Sequence, residues 1–181
     1  MKQILIPVGA GLVGLVLGFQ AMLGLLPGFI MGKAMERFET LGGEANQAGH
    51  FPPIDETART VVRPSPDIIY SGCMYDVSNG AVAITLPALE GESYVSVSFF
   101  DARTNNFAAF NNRDFGGAAA EILLHGPAPD HTHTDPGYAD YDESVLAPTS
   151  TGLVLLRRVL SGGVTIEDAD AHRRQFGCEA L

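Results

Sequence analysis

From Ile4 to Met31 the chain carries no charged side chain, and Gln20 is the one strongly polar residue in the run. A helix lying on a soluble core shows a polar face every turn, and this stretch shows none. The apolar region of a signal peptide extends over roughly 7–15 residues, whereas roughly 20 are needed to cross a bilayer. The pattern therefore predicts an uncleaved transmembrane helix, since in lipid a helix satisfies its own backbone. The sequence GKAMERFETLGG continues the helix until Gly42 and Gly43 cap it, which makes residues 1–42 the anchor and its extension. Residues 43–59 are polar and proline-containing and read as a linker.

From residue 60 the period shortens. Apolar and small polar residues alternate in short β-prone runs separated by turn residues: DIIYSGCMYDV, AVAITLP, ESYVSVSFFDA, NFAAFNN, AEILLHG, SVLAP and GLVLLRRVL. Regularly spaced short runs of this kind predict an antiparallel β-sandwich over residues 60–181. Thr165, followed by Ile166, Glu167 and Asp168, has the form of a capped helix start, so a short C-terminal helix closes the domain.

Charge narrows the partners. The only lysines, Lys2 and Lys33, bracket the apolar run and suit headgroup regions, but the positive charge on its two sides is too evenly divided to set an orientation. From Phe38 onward twenty acidic residues face eight arginines and no lysine. That balance argues against nucleic acid, which demands a basic patch. Inside the anchor, Ala10, Gly14 and Gly18 recur every four residues, and Gly24 and Gly28 repeat the spacing. Small residues so placed let a second helix approach closely, although glycine is also common in membrane helices generally. The expected contacts are the bilayer, through residues 4–31, and other membrane-embedded subunits.

Three groups are candidates for chemistry. Asp67, Tyr70, Ser71 and Cys73 lie together in RPSPDIIYSGCMYD, but strand alternation sends Tyr70 to one face and Ser71 and Cys73 to the other. No nucleophile motif accompanies them, so framework is the better reading and no catalytic residue is assigned. His131, His133 and Asp135 sit in an acidic loop that also holds Asp130, Asp140 and Asp142. Two imidazoles with a carboxylate can hold a metal, but the fixed ligand spacing of structural zinc and calcium sites is absent, and no cofactor is expected. Asn111 and Arg113 among Phe107, Phe110 and Phe115 offer a polar-aromatic surface, or simply a turn beside core rings. Cys73 and Cys178 are the only cysteines. They pair if the compartment is oxidising, and are two buried small hydrophobes if it is reducing.

RTVVRPSPDIIYSGCMYDVS, AVAITLPA, YVSVSFFDARTNNFAAF and VLAPTSTGLVLLRRVLSGGVTIEDADAHRRQF together resemble the domain-of-unknown-function family 1254. The resemblance implies a sandwich of jelly-roll type, exported to the periplasm of a bacterium and often joined to a companion domain of family 1214, which a separate chain would supply here. The family motif Asn-x-Asp-Thr-x-Tyr-Ser keeps Asp67, Tyr70 and Ser71, while Ser65 takes its first place and Ile68 replaces the threonine. The functional expectation is a single-pass inner-membrane protein whose periplasmic domain serves as a structural or accessory subunit. The alternatives are a hydrolase-like enzyme and a small-ligand or metal-binding module.

Overall fold

A computed structural model of the chain describes residues 2–40, 43–53, 65–126 and 140–181. Helix α1 (Lys2–Thr40) runs unbroken through Pro7 and Pro27. Every residue from 9 to 26 is exposed. Its last third turns a stripe onto the rest of the molecule: Pro27 and Met35 are half-buried, Met31 and Phe38 buried. Spacings of four, four and three residues put these four on one helix face.

Nine strands follow among the described residues: β1 (Gly49–His50), β2 (Ile68–Asp76), β3 (Val82–Leu86), β4 (Val95–Asp101), β5 (Asn106–Asn111), β6 (Ala120–His125), β7 (Glu143–Leu146), β8 (Thr151–Val159) and, after helix α2 (Ile166–Arg173), β9 (Gly177–Ala180). One sheet has the order β1-β2-β8-β4-β5 and the other β7-β6-β3-β9. Alternation decides the packing. Cys73 and Tyr75, Val95, Val97 and Phe99, and Val154 and Leu156 project from the first sheet into one core with Val82, Ile84 and Leu86, Ala120, Ile122 and Leu124 from the second. The chain is therefore mainly β, a two-sheet sandwich with a short C-terminal helix and a long apolar N-terminal one.

The structure adds to the sequence reading in three places. The stretch read as a linker supplies an edge strand, because Gly49 and His50 pair with Gly72 and Ser71. The sandwich is not antiparallel throughout, since β6 and β7 run parallel. Beyond α2 the chain adds β9 on the open edge of β3, with Ile84 opposite Cys178.

That last strand carries a strap. Cys73 on β2 and Cys178 on β9 are joined by a disulfide between the two sheets, with Cα atoms 6.3 Å apart and a sequence separation of 105. Both residues are buried. Closing so long a loop removes much of the unfolded chain's freedom, about 4–5 kcal/mol in the chain-entropy account. Replacing both cysteines by alanine is expected to lower the unfolding free energy by about that much, read from a urea midpoint under non-reducing conditions.

Gly152 marks the tightest approach in the first sheet. A methyl group there would collide with the Phe100 carbonyl oxygen and the Tyr75 hydroxyl. Backbone cannot retreat as a flexible side chain can, so Gly152→Ala is expected to cost about 1–3 kcal/mol by overpacking, measured by the same denaturation curve.

Candidate functional site

Helix α2 contacts both β2 and β8, covering the end of the sandwich where those strands meet. Its start is built as the sequence indicates: the Thr165 hydroxyl accepts from the Asp168 backbone N–H at 3.1 Å and donates to the Asp168 carboxylate at 2.8 Å. Between α2 and the edge strand lies a cleft of about 440 Å³ lined by His50, Phe51, Pro52, Pro53, Ile166, Glu167, Asp170, Arg173 and Arg174.

Its floor is ionic. Asp170 receives Nε of Arg173 at 2.6 Å and Nε of Arg174 at 2.7 Å. Arg173 is 1% exposed and also donates to the Tyr70 carbonyl, so a single buried guanidinium ties α2 to β2. The hydrogen bond from Arg174, joined by Arg173, holds the Asp170 carboxyl below its usual range although burial opposes it.

His50 stands at the rim with Nδ1 2.8 Å from the Ser71 hydroxyl. Burial lowers its pKa, the Arg173 and Arg174 guanidiniums lower it further, and Asp170 works the other way. A histidine beside a serine suggests nucleophilic catalysis, which needs the hydroxyl open to substrate and a third group orienting the imidazole. Ser71 is fully buried, and the nearby carboxylate, Asp170, is engaged by two arginines. The pair is a fastening between β1 and β2.

The residues singled out from sequence are scattered. Asp67 is exposed, and its carbonyl accepts from the Leu160 N–H. Tyr70 does not line the cleft, but its carbonyl accepts from two residues that do, Arg173 and the Phe51 N–H. Asn111 and Arg113 form a turn at the opposite side of the first sheet: Asn111 donates to Asp114, its side-chain oxygen accepts from the Arg113 N–H, and the Arg113 guanidinium lies 5.8 Å from the Tyr94 ring centre. His131, His133 and Asp135 lie outside the described residues. Among the described residues no group of three His, Cys, Asp or Glu side chains is placed to hold a metal. Ala10, Gly14, Gly18, Gly24 and Gly28 are all exposed, and of these glycines Gly28 lies nearest the sandwich, where a methyl group would be 3.9 Å from the Ala102 carbonyl oxygen.

The reading from sequence passed over His50, Asp170, Arg173 and Arg174. The one local signal was the Asp170-Ala-His-Arg173-Arg174 spacing, which puts a carboxylate three and four residues before two guanidiniums on a helix.

A second histidine borders the same helix. The His172 Nε2 meets the Ala88 carbonyl at 2.9 Å, so that nitrogen carries the proton and Nδ1 is left buried without a partner. Burial lowers its pKa, the Ala88 contact partly restores it, and the Arg158 guanidinium lowers it again. Both histidines therefore bind protons more weakly when folded than the ordinary value of 6.5. Below that value the unfolded chain takes up protons that the native state refuses, so stability falls as pH drops. The melting temperature is expected to fall between pH 7.5 and pH 5, and His50→Asn with His172→Gln to flatten that slope. An unchanged slope in the double variant would mean that other groups set it.

The chain resembles the VPA0106 protein from Vibrio parahaemolyticus, with a TM-score of 0.57 at 20% identity over 86% of this chain and 37% of that one. A weaker likeness, TM-score 0.42 at 13% identity, links 69% of it to 34% of an uncharacterized protein from Burkholderia cenocepacia. The chain thus spans little more than a third of the solved proteins it matches, and the first supports the fold. No curated protein matches it. Residues 45–180, from just before β1 to the end of β9, match the family described as protein of unknown function DUF1254, and the chain belongs to that family.

Proposed function

We propose that this chain is a single-pass membrane protein whose sandwich is an exported, non-catalytic structural or accessory subunit of a membrane complex. The observation that carries the reading is the contrast within α1. Residues 9–26 make no covering contact and expose Leu12, Val13, Leu15, Val16, Leu17, Phe19 and Leu23, while Met31 and Phe38 are buried in the domain. An apolar helix bare on all sides needs a solvent other than water, and lipid with neighbouring helices supplies it. The disulfide supports an oxidising compartment, hence the periplasmic side of a bacterial inner membrane. Membrane-embedded subunits are the partners this reading calls for, with a separate chain carrying the companion domain as a further one.

The cleft favours a second reading, a small-ligand module, because its apolar wall of Phe51, Pro52, Pro53 and Ile166 faces the charged pair of Glu167 and Arg174. The two readings part on isolation. Extraction of the native membrane in mild detergent, without overexpression, is expected to yield a stoichiometric complex, read by mass and size. A clean monomer or homodimer would favour the ligand module. In the complex, Gly14→Leu with Gly18→Leu is expected to abolish co-purification while the sandwich keeps its melting temperature, since small residues allow close helix approach. Undiminished co-purification would assign the contact to the sandwich.

A further inference from the structure

Two contacts fix α1 against the first sheet. Between half-buried Pro27 and buried Met31 the helix passes the Ala102 carbonyl, which a methyl group on Gly28 would approach to 3.9 Å, and at Phe38 it meets Gly72 in the middle of β2. Ten helical residues span about 15 Å. From Gly72 to Asp76, at the end of β2, the strand covers about 13 Å. Asp76 pairs with Thr151, and the next residue, Gly152, pairs with Asp101, so Ala102 lies at that same end. The helix thus runs alongside the strands, with the β4–β5 turn at residue 28 and the α2 cleft beyond residue 38.

Gly28 belongs to the uncharged run that ends at Met31. A hydrocarbon core of about 30 Å takes about 20 residues of this run, leaving about 8 to cross the headgroup layer. The turn decides which 8. Asp101 is buried and accepts from the Arg103 and Asn105 backbone amides and from the Asn105 side chain, at 2.8–2.9 Å. Burial opposes its charge, yet these donors hold its carboxyl below the ordinary value. Arg103, Thr104 and Asn105 are exposed. So polar a turn cannot enter hydrocarbon, and helix contacts forbid it from moving away.

We infer that the β4–β5 turn rests on the headgroup layer of the bilayer that α1 enters and stops the helix at that depth, with Arg103 among the lipid phosphates. The inference rests on the membrane reading above. It sets the hydrocarbon boundary on the amino-terminal side of Gly28, despite the apolar residues that follow. It also holds the α2 cleft about 25 Å from the turn, the length of β8, facing away from the membrane.

The chain contains no tryptophan, so a single introduced one reports alone. Variants of the full chain with Arg103→Trp, Ser150→Trp, Glu167→Trp or Leu17→Trp would be reconstituted in phosphatidylcholine vesicles. Ser150 is exposed beside the turn, where Thr149 accepts from the Ala102 N–H, and serves if Arg103→Trp fails to fold. A nitroxide on the lipid headgroup is expected to quench emission at 103 and at 150 by about half and to leave 167 unaffected. Brominated acyl chains are expected to quench 17 alone. Equal quenching at 103 and 167 would overturn the inference, showing a domain that tumbles on its tether. Quenching at 17 with none at 103 or 150 would overturn it while leaving the anchor intact. No quenching at 17 would remove the anchor reading itself, and this inference with it.

Discussion

The ring of Phe38 sits where three glycines leave it room. A methyl group on Gly72 would come within 2.9 Å of that ring, one on Gly49 within 2.7 Å, and one on Gly43 closer still. The Phe51 ring meets it edge-on at 5.3 Å between centres. Gly72 and Gly49 are cross-strand partners, so the notch exists only because β1 pairs with β2. One aromatic contact therefore joins the end of α1, the edge strand and the centre of the first sheet. Without it the helix would lose its seat on β1 and β2. With it the helix is part of the fold, and its apolar length is presented in a defined direction.

The same edge strand ties the other end of the molecule. His50, the residue after Gly49, bonds Ser71 and borders the cleft that α2 closes. There the charges are arranged for holding rather than reacting. Asp170 stands between two guanidiniums, and the carbonyl of Tyr70 takes a further donor from Arg173. Burying an arginine is costly unless its donors are met, and Arg173 places donors on Asp170 and on the Tyr70 carbonyl. What stays open in the cleft is the apolar wall and the exposed Arg174 and Glu167.

Much of this architecture was legible because buried strands write a period of two. TGLVLLRRV alternates half-buried and buried along its whole length as β8, and VAITL does so as β3. RPSPDIIYSGCMYD read as framework for the same reason, and β2 takes neighbours on both sides. Two-residue β1 is too short to carry any period, and it lies among prolines and polar residues that imitate a linker. GCEA follows a helix and has no alternation of its own, so β9 is recognisable only from the strand it completes. The cleft was invisible for a different reason. His50, Ser71 and Arg173 are brought together by pairing between distant segments, and no local pattern records that.

Arg158 shows how the two ends differ in kind. It projects inward from β8 beside Ile69 and Val95, its cross-strand partners, and is 3% exposed. One terminal nitrogen reaches the Tyr94 and Val159 carbonyls, while Nε has no partner. Burial lowers its pKa, and no carboxylate offsets it. The α2 end thus sets guanidiniums, already charged, beside two imidazoles whose burial becomes harder as protons are added. The β4–β5 turn is held instead by the Asp101 carboxylate, which, against burial, its amide donors keep below the ordinary value and which gains a proton only in more acidic solution. Acid therefore acts first through His50 and His172, and through His50 it reaches both the cleft and the β1–β2 pairing that seats Phe38.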